Sequence, residues 1–342
     1  MPWWDSQTHA DRRPLLILRG RIKAGLRAWF ESEGFTEVEC GALAASPGNE
    51  AHLHAFATSR IRPDGAAETL YLHTSPEFAA KKLLAAGESR IFEFARVFRN
   101  RERTRLHAPE FTMLEWYRAH EDVGRVMEDT LALVRRAAGI AGAGSLRYRD
   151  RRCDPFAEAE RIAVCDAFRI HAGIEILDTL DQQGRDLFAT RAKRAGFSIA
   201  AEDGWSDIFS KVLAAAIEPR LGLERLTLLT DYPRQEAALA RPKPSDPRLS
   251  ERFELYACGV ELANGFGELT DPAEQRARFE AEMDEKQRVH GERYPLDEDF
   301  LAALAQMPPA SGVALGFDRL VMLTAGAPQI DDVLWTPLPP DP

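Results

Sequence analysis

The sequence predicts an α+β fold, a mostly antiparallel β-sheet flanked by helices. Three observations predict it. Apolar residues recur at helical spacing in several long segments, beginning with residues 15–33. Two pairs of segments read as adjacent strands: IFEFARVFRN with EFTMLEWYRAH, and the two halves of ERFELYACGVELANGFGEL. No internal repeat and no linker interrupts the chain. One domain is therefore expected over 15–336, between an extension at 1–14 and a tail at 337–342.

In LLILRGRIKAGLRAWFESE, Leu18, Ile22, Leu26 and Phe30 form an apolar stripe. Arg19, Lys23 and Arg27 share another face, and Gly34 stands at a C-cap position. FTEVEC alternates as a strand, ASPGNEAHLHAF is a loop and TLYLHT a short strand. Pro76, at the first helical position, opens a helix through FAAKKLLAA that Gly87 ends. RERTRLHAP is polar and aperiodic, so a long charged loop joins the first strand pair. VGRVMEDTLALVRRAAG is a helix. Between 142 and 210 the pattern weakens to helix-like patches at FRIHAG and RDLFATRAKRAG. DIFSKVLAAAIEPRLG is a helix, LTLLTDYP a buried strand and RPKPSDPR a proline-rich loop. PAEQRARFEAEMDEKQRVHG and DEDFLAALAQM are helices, and GVALGFDRLVMLTAG reads strand, turn, helix.

The 342 residues carry 44 basic and 54 acidic side chains, a formal charge of −10; 45% are hydrophobic and 29% charged. This globular balance buries a core without disulfide or metal staples. No apolar run approaches the ~18 residues of a membrane span. The opening MPWWDSQTHADRRP lacks the apolar stretch of a secretory signal, so a cytoplasmic location is expected. Cys40, Cys153, Cys165 and Cys258 form no C-x-x-C pair and read as free thiols. Residues 1–150 carry +2 and the remainder −12, with no long basic run. That excludes a nonspecific nucleic-acid binder and leaves a small, locally bound polyanion.

Three segments carry chemistry. FRNRERTRLHAPEFTMLEWY places Arg99, Arg101, Arg103, Arg105 and His107 on or beside a loop between strands. Such a loop is either solvated or a phosphate clamp, since the arginine fork matches phosphate oxygens. Alternation puts Glu115 and Tyr117 on one strand face and Leu114 and Trp116 on the other, either pair being core or site. In ERFELYACGVELANGFGEL, Glu254, Glu261 and Glu268 stand seven apart among apolar neighbours. Carboxylates on adjacent strands can hold Mg²⁺ against nucleotide phosphates. In SGVALGFDRLVML, Gly312 and Gly316 flank a strand end and Arg319 sits in the first turn of an apolar helix, where anions are favoured.

Together and in this order, the three resemble the class II aminoacyl-tRNA synthetase catalytic domain, and most closely its lysyl branch. FRN, H-x-PEFT and MLE-x-Y are similar to motif 2, ELANGFGEL to the lysine-pocket strand and GVALGFDRLVML to motif 3. The first helix with FTEVEC resembles motif 1, except that Cys40-Gly41 stands where a proline is usual. Motif 1 begins so near the N-terminus that no anticodon-binding OB domain is expected. The chain thus resembles the truncated lysyl-tRNA synthetase paralogues, which aminoacylate a lysine of translation elongation factor P with (R)-β-lysine. TSPEFAAKKLL and Ala314, where lysyl-tRNA synthetases generally have glycine, match that group.

The resemblance implies roles. Arg99 would bind the ATP α-phosphate and the substrate carboxylate. His107 and Glu102 would contact the triphosphate or the base edge. Phe111 would stack on adenine with Arg319 on the other face. Asn100, Arg101, Leu262 and Gly316 would complete the ATP site. Arg101 and Ala108 depart from the RNEE and HNPEF usual in the family. Glu254 and Glu261 would hold Mg²⁺. Ser75, Pro76, Glu77, Glu115, Tyr117, Asn264, Phe266, Glu268 and Ala314 would shape the amino-acid pocket, with Glu268 and Tyr117 on the ε-ammonium and Glu77 on the other amine. The implied reaction forms an aminoacyl-adenylate from ATP and (R)-β-lysine or lysine, with Arg99 and Arg319 as the catalytic pair. Transfer to elongation factor P follows. A homodimer is expected by analogy, with no membrane and no tRNA substrate. Two rivals remain open: an enzyme that charges tRNA, and a non-catalytic regulator that binds an amino acid or adenylate.

Overall fold

A computed structural model describes residues 2–180 and 184–339 and divides the chain into two compact units. One comprises the residues up to Glu121 together with those from Thr270; the other spans Asp122–Leu269. The expected tail at 337–342 lies outside the described residues beyond 339. The sheets are mostly antiparallel and flanked by helices, as the sequence predicts.

The first unit opens with α1 (Ser6–Ser32), which starts earlier than the apolar stripe suggests. The Asp5 carboxylate accepts from the N–H groups of Gln7 and Thr8, both at 3.1 Å, and so caps a polar first turn. Gly34 (φ +77) ends the helix, with Phe35 N–H on the Phe30 carbonyl at 3.0 Å. The buried stripe is Leu16, Arg19, Ile22, Leu26 and Phe30. Leu18 is only half-buried, and Arg19 lies inside, not with Lys23 and Arg27. The 3.6-residue period explains this, because position 19 falls on the line between 16 and 22.

Strand β1 (Thr36–Glu37) is two residues, shorter than FTEVEC suggests, and β2 (Leu43–Ala44) is equally short. The strands β3 (Phe56–Ile61) and β4 (Ala67–Leu72) pair as a hairpin, with β2 beside β4. Helix α2 (Glu77–Ala85) begins after Pro76, which serves as its N-cap instead of its first helical residue. Strands β5 (Arg90–Phe98) and β6 (Glu110–Ala119) form the expected antiparallel hairpin around a loop at 99–109. Phe92 and Trp116 face each other in register and pack under α1, where Phe30 stacks on Phe92 at 4.4 Å. That contact decides the faces of β6: Trp116 is core, and Glu115 and Tyr117 look the other way.

In the second unit, α3 (Val123–Ala141) precedes β7 (Leu146–Tyr148), β8 (Arg151–Cys153) and β9 (Glu160–Ala163). The weakly patterned region forms α4 (Val164–Ala172) and α5 (Gly184–Arg194), followed by α6 (Trp205–Val212). Phe168, Phe188 and Phe209 of these helices share one core with Leu229 and Tyr232 of β10 (Thr227–Pro233). RPKPSDPR is not a loop. It forms β11 (Pro242–Lys243) and the start of β12 (Asp246–Ala257). Pro242 is tolerated because β11 pairs on one side only. Strand β13 (Val260–Gly267) returns through Cys258 (φ +57) and Gly259 (φ +68), two left-handed residues that close a tight hairpin.

Back in the first unit, α7 (Pro272–His290) and α8 (Glu298–Leu304) lead to β14 (Ala310–Gly316), antiparallel to β6. Gly316 is itself the N-cap of α9 (Phe317–Ala325), so strand passes into helix without the expected turn. Asp318, 1% exposed, pairs with Arg19 of α1 and accepts the Thr112 N–H of β6 at 2.8 Å. Arg19 also reaches Thr112 Oγ1 at 2.8 Å and lies 4.8 Å over the Phe317 ring. All four cysteines are free, Cys153 and Cys258 buried. Among the described residues no helix is long and apolar enough to cross a membrane.

Removing one member of a buried ion pair strands the other charge. Arg19→Met is expected to lower the unfolding free energy by about 3–5 kcal/mol in urea. A change below about 1 kcal/mol would show the pair to be energetically idle.

Candidate active site

Arg99 follows β5 at the mouth of the 99–109 loop. Its N–H closes the loop on the Pro109 carbonyl at 2.8 Å. Its Nε reaches the Thr74 carbonyl at 3.4 Å, and its guanidinium lies 5.4 Å over the Phe111 ring. The other arginines of this loop diverge. Arg101 (φ +64) pairs with Glu292, and Arg103 pairs with Asp331 at 2.9 Å. Asn100 is tied down on both sides, its N–H on the His54 carbonyl at 2.7 Å and its Oδ1 under Arg101 N–H at 2.9 Å. Glu102 is half-buried and Arg105 exposed. The five-residue basic cluster read from sequence is thus not one clamp: two of its arginines already serve ion pairs.

His107 joins the loop to α9. Arg319 donates to His107 Nε2 at 2.6 Å and through Nε to the Leu106 carbonyl at 3.3 Å. A guanidinium can only donate, so Nε2 accepts and the proton sits on Nδ1, 2.6 Å from Thr104 Oγ1. Burial pushes the His107 pKa down to about 4, helped by the Arg319 and Arg99 charges. Gly316 faces the first turn of α9, where a Cβ would meet only Arg319 carbons at ordinary contact.

A second group in the same unit is acidic. Glu115, 1% exposed, accepts Ser75 Oγ at 2.5 Å and Tyr117 OH at 2.7 Å. Burial raises its pKa to about 8, with the Glu77 and Glu93 charges adding. Glu93 stands directly across from it on β5 and Ala314 directly across on β14. Ser75 Oγ also accepts the Glu77 N–H at 3.0 Å, in the place of a side-chain cap for α2 behind Pro76. Glu77 is held by Lys81 one turn along, a lysine 1% exposed. The sequence reading passed over Lys81, although its i,i+4 spacing from Glu77 was a signal. At the Cys40-Gly41 departure from motif 1, Cys40 N–H bonds Glu93 Oε1 at 3.1 Å.

In the Asp122–Leu269 unit, one face of β12 and β13 collects the remaining residues. Arg252 stands across from Phe266, Glu254 from Asn264 and Tyr256 from Glu261. A bulge at this pairing explains how Glu261 and Asn264, three apart, share a face. Arg252, missed in the sequence reading, donates to Glu254 Oε1 at 2.6 Å and Tyr256 OH to Oε2 at 2.6 Å. Arg252 also reaches Asn264 Oδ1 at 3.3 Å. Leu262, the residue skipped in that bulge, is buried, and Glu268 is buried where its backbone bridges to Ala240. No three His, Cys, Asp or Glu side chains gather as a metal cage among the described residues. Two carboxylates on one face still fit Mg²⁺, which usually takes one or two carboxylates beside waters and substrate phosphates.

The fixed tautomer gives a pH prediction. His107 is expected to stay neutral from pH 5.5 to 8 in an NMR titration, and its folding contribution to fall as pH drops from 6.5 toward 4. A midpoint near 6.5 would overturn the assignment.

The chain matches the family described as tRNA synthetases class II (D, K and N) over residues 3–339. It is 39% identical to a protein of Sodalis glossinidius named elongation factor P–(R)-β-lysine ligase, over 96% of this chain and 97% of the relative. Proteins of the same name from Haemophilus influenzae (38%, 96% of each chain) and Erwinia tasmaniensis (39%, 93% of each) are similar to it too. On this match over nearly the whole length, the chain belongs to the class II tRNA synthetase family.

Proposed function

We propose that this protein is a ligase that activates (R)-β-lysine or lysine with ATP and transfers it to a lysine ε-amine of translation elongation factor P. Relatives at 38–39% identity over nearly their whole length bear that name. The observation that carries the amino-acid side of the reading is Glu115. It is a buried carboxyl with a pKa raised to about 8, set against Ala314 and between two hydroxyls. A buried acid of this kind gains most from a cationic ligand.

Two chemical steps follow. A carboxylate oxygen of the amino acid attacks the α-phosphorus of ATP, and the bond to pyrophosphate breaks. The incoming amine, having lost a proton, then attacks the activated carbonyl, and AMP leaves with the C–O bond electrons. Arg99 neutralises the charge that builds at the α-phosphate, and Arg319, held by the Leu106 carbonyl and neutral His107, steadies the nucleotide. His107, being neutral, accepts the Arg319 N–H and so orients the guanidinium. Glu254 and Glu261 would hold Mg²⁺, which supplies electrostatic neutralisation of the polyphosphate. Arg252 and Tyr256 fix Glu254 in its rotamer. Positioning accounts for much of the rate, since no protein nucleophile is needed. A symmetric homodimer belongs to this reading on the motif 1 likeness alone.

Incubation with ATP, (R)-β-lysine and elongation factor P tests the reading: one aminoacyl mass should appear on the factor. Charging of tRNA with α-lysine in place of that modification would replace it with a synthetase activity. Arg99→Ala is expected to cut lysine-dependent ATP–pyrophosphate exchange at least about 100-fold. Ala314→Gly should shift the ratio of α-lysine to β-lysine exchange upward by about tenfold, the worth of a methyl in a tight pocket; an unchanged ratio refutes the pocket assignment.

At pH 7 Glu115 is protonated in the free protein, and an ammonium bound against it ionises it. Lysine binding should therefore release close to one proton at pH 7, with affinity rising as pH approaches 8 and levelling above. Calorimetry in buffers of different ionisation enthalpy reads this directly. Equal release by Glu115→Gln would place the ammonium elsewhere.

A further inference from the structure

The start of the 99–109 loop is held by two residues that the sequence reading did not single out, His54 and Glu292. Asn100 N–H bonds the His54 carbonyl at 2.7 Å, and the two residues form an isolated β-bridge. The next residue, Arg101 (φ +64), has the left-handed backbone that an arginine rarely adopts. Such a conformation persists only where its surroundings over-determine it. The Arg101 N–H turns back onto Asn100 Oδ1 at 2.9 Å. Its guanidinium is engaged twice: Nη2 pairs with Glu292, and Nη1 faces His54 Nε2 at 3.5 Å.

His54 closes a ring. Its Nδ1 lies 3.0 Å from Glu292 Oε2. A carboxylate only accepts, so Nδ1 carries the proton; a guanidinium only donates, so Nε2 is bare. The His54 hydrogen bond, and then the Arg101 charge, hold the Glu292 carboxyl below its usual range, so it is ionised at neutral pH. One imidazole thus joins the acid and the base of the same pair, while its backbone carbonyl holds the residue before Arg101. The far side of the ring is rigid. Glu292 follows Gly291 (φ +68), the C-cap of α7. Tyr294 OH lies 3.5 Å from Glu292 Oε2 and takes Ala55 N–H at 2.9 Å. Lys286 of α7, fully buried, donates to the Leu53 carbonyl at 2.6 Å and lies 4.7 Å over the Tyr294 ring. His290 packs edge-on against His54 at 4.7 Å.

Arg101 is therefore half of a latch between the loop and the 53–55 and 292–294 segments. A guanidinium engaged by an acid and an imidazole is not presented to phosphate. Its place in the chain gives it another use, two residues after Arg99, whose fork must be aimed at the α-phosphate. We infer that Arg101 shapes the nucleotide loop and does not itself take the phosphates, with Glu292 and His54 as positioning residues that act through it on Arg99 and Asn100. The inference rests on the ATP side of the activity proposed above.

The test is calorimetric binding of ATP to the full chain and its variants, with binding of lysine to the same samples as the control. Glu292→Gln should weaken ATP about fivefold, the upper range for a part-exposed pair in a network, and leave lysine within about twofold. Arg101→Gln should weaken ATP to the same extent and the double variant no further, because each removes the same latch. His54→Asn, which keeps a donor toward Glu292, should lose less than His54→Leu. Direct binding of phosphate by Arg101 predicts the contrary sign: Glu292→Gln would release the guanidinium, remove a negative charge and tighten ATP. That result overturns the inference. So do unchanged ATP affinities, additive losses in the double variant, or a parallel loss of ATP and lysine, the mark of a merely structural residue. If Glu292→Gln does not fold, Arg101→Gln, His54→Leu and their double variant carry the same comparison. A chain that binds ATP yet exchanges no pyrophosphate with any lysine isomer sinks the proposed activity alone, and the ATP affinities still decide the latch. A chain that binds no ATP overturns both.

Discussion

The buried pair of Arg19 and Asp318 is the constraint on which the first unit depends. It ties α1, near the start of the chain, to the first turn of α9, some 300 residues later. Both partners also bond Thr112 of β6. Three segments remote in sequence meet at one point that solvent does not reach. Arg319 is the next residue after Asp318, and Phe111 precedes Thr112. Locking one member of each pair therefore sets where the other points. The anchor fixes the backbone from which Arg319 and Phe111 project.

Around that anchor the unit accumulates acids in its interior. Glu93 and Glu115 face each other across β5 and β6, and Glu50 and Glu77 lie nearby. Burial disfavours the charged form of these carboxyls and neighbouring acids add to it, so their pKa values are raised. The arrangement is tolerated because the surrounding frame is over-determined by Phe30, Phe92 and Trp116 on one face and by α7 on the 50–54 segment. Stored electrostatic strain of this sign favours a cationic ligand. In the basic group, burial and then the charges of Arg319 and Arg99 keep His107 neutral, so that it accepts a hydrogen bond from Arg319.

Much of this is legible in the sequence. The hairpin of β5 and β6, the tight link at Cys258-Gly259 and the helices α3 and α7 follow from periodicity and turn chemistry, which are local. The motif residues Arg99, His107, Glu115 and Arg319 were legible through resemblance. RPKPSDPR was misread because proline is a poor strand former in general but acceptable on an edge, and edges are not visible in one segment. Lys81 and Arg252 escaped notice because a lone charged residue in sequence is ordinary; it becomes informative only when buried.

The sequence by itself determined the fold class, most of the long helices and strands and which side chains could handle phosphate and ammonium, because hydrophobic period and residue chemistry are properties of short windows. It also paired Glu115 with Tyr117 on one face of a strand. Only the tertiary structure decided that this face was not the one under α1, and that Arg101 and Arg103 were committed to Glu292 and Asp331. Those outcomes turn on burial and on contacts between residues up to hundreds of positions apart. Desolvation and pairing act through space, and no local pattern encodes them.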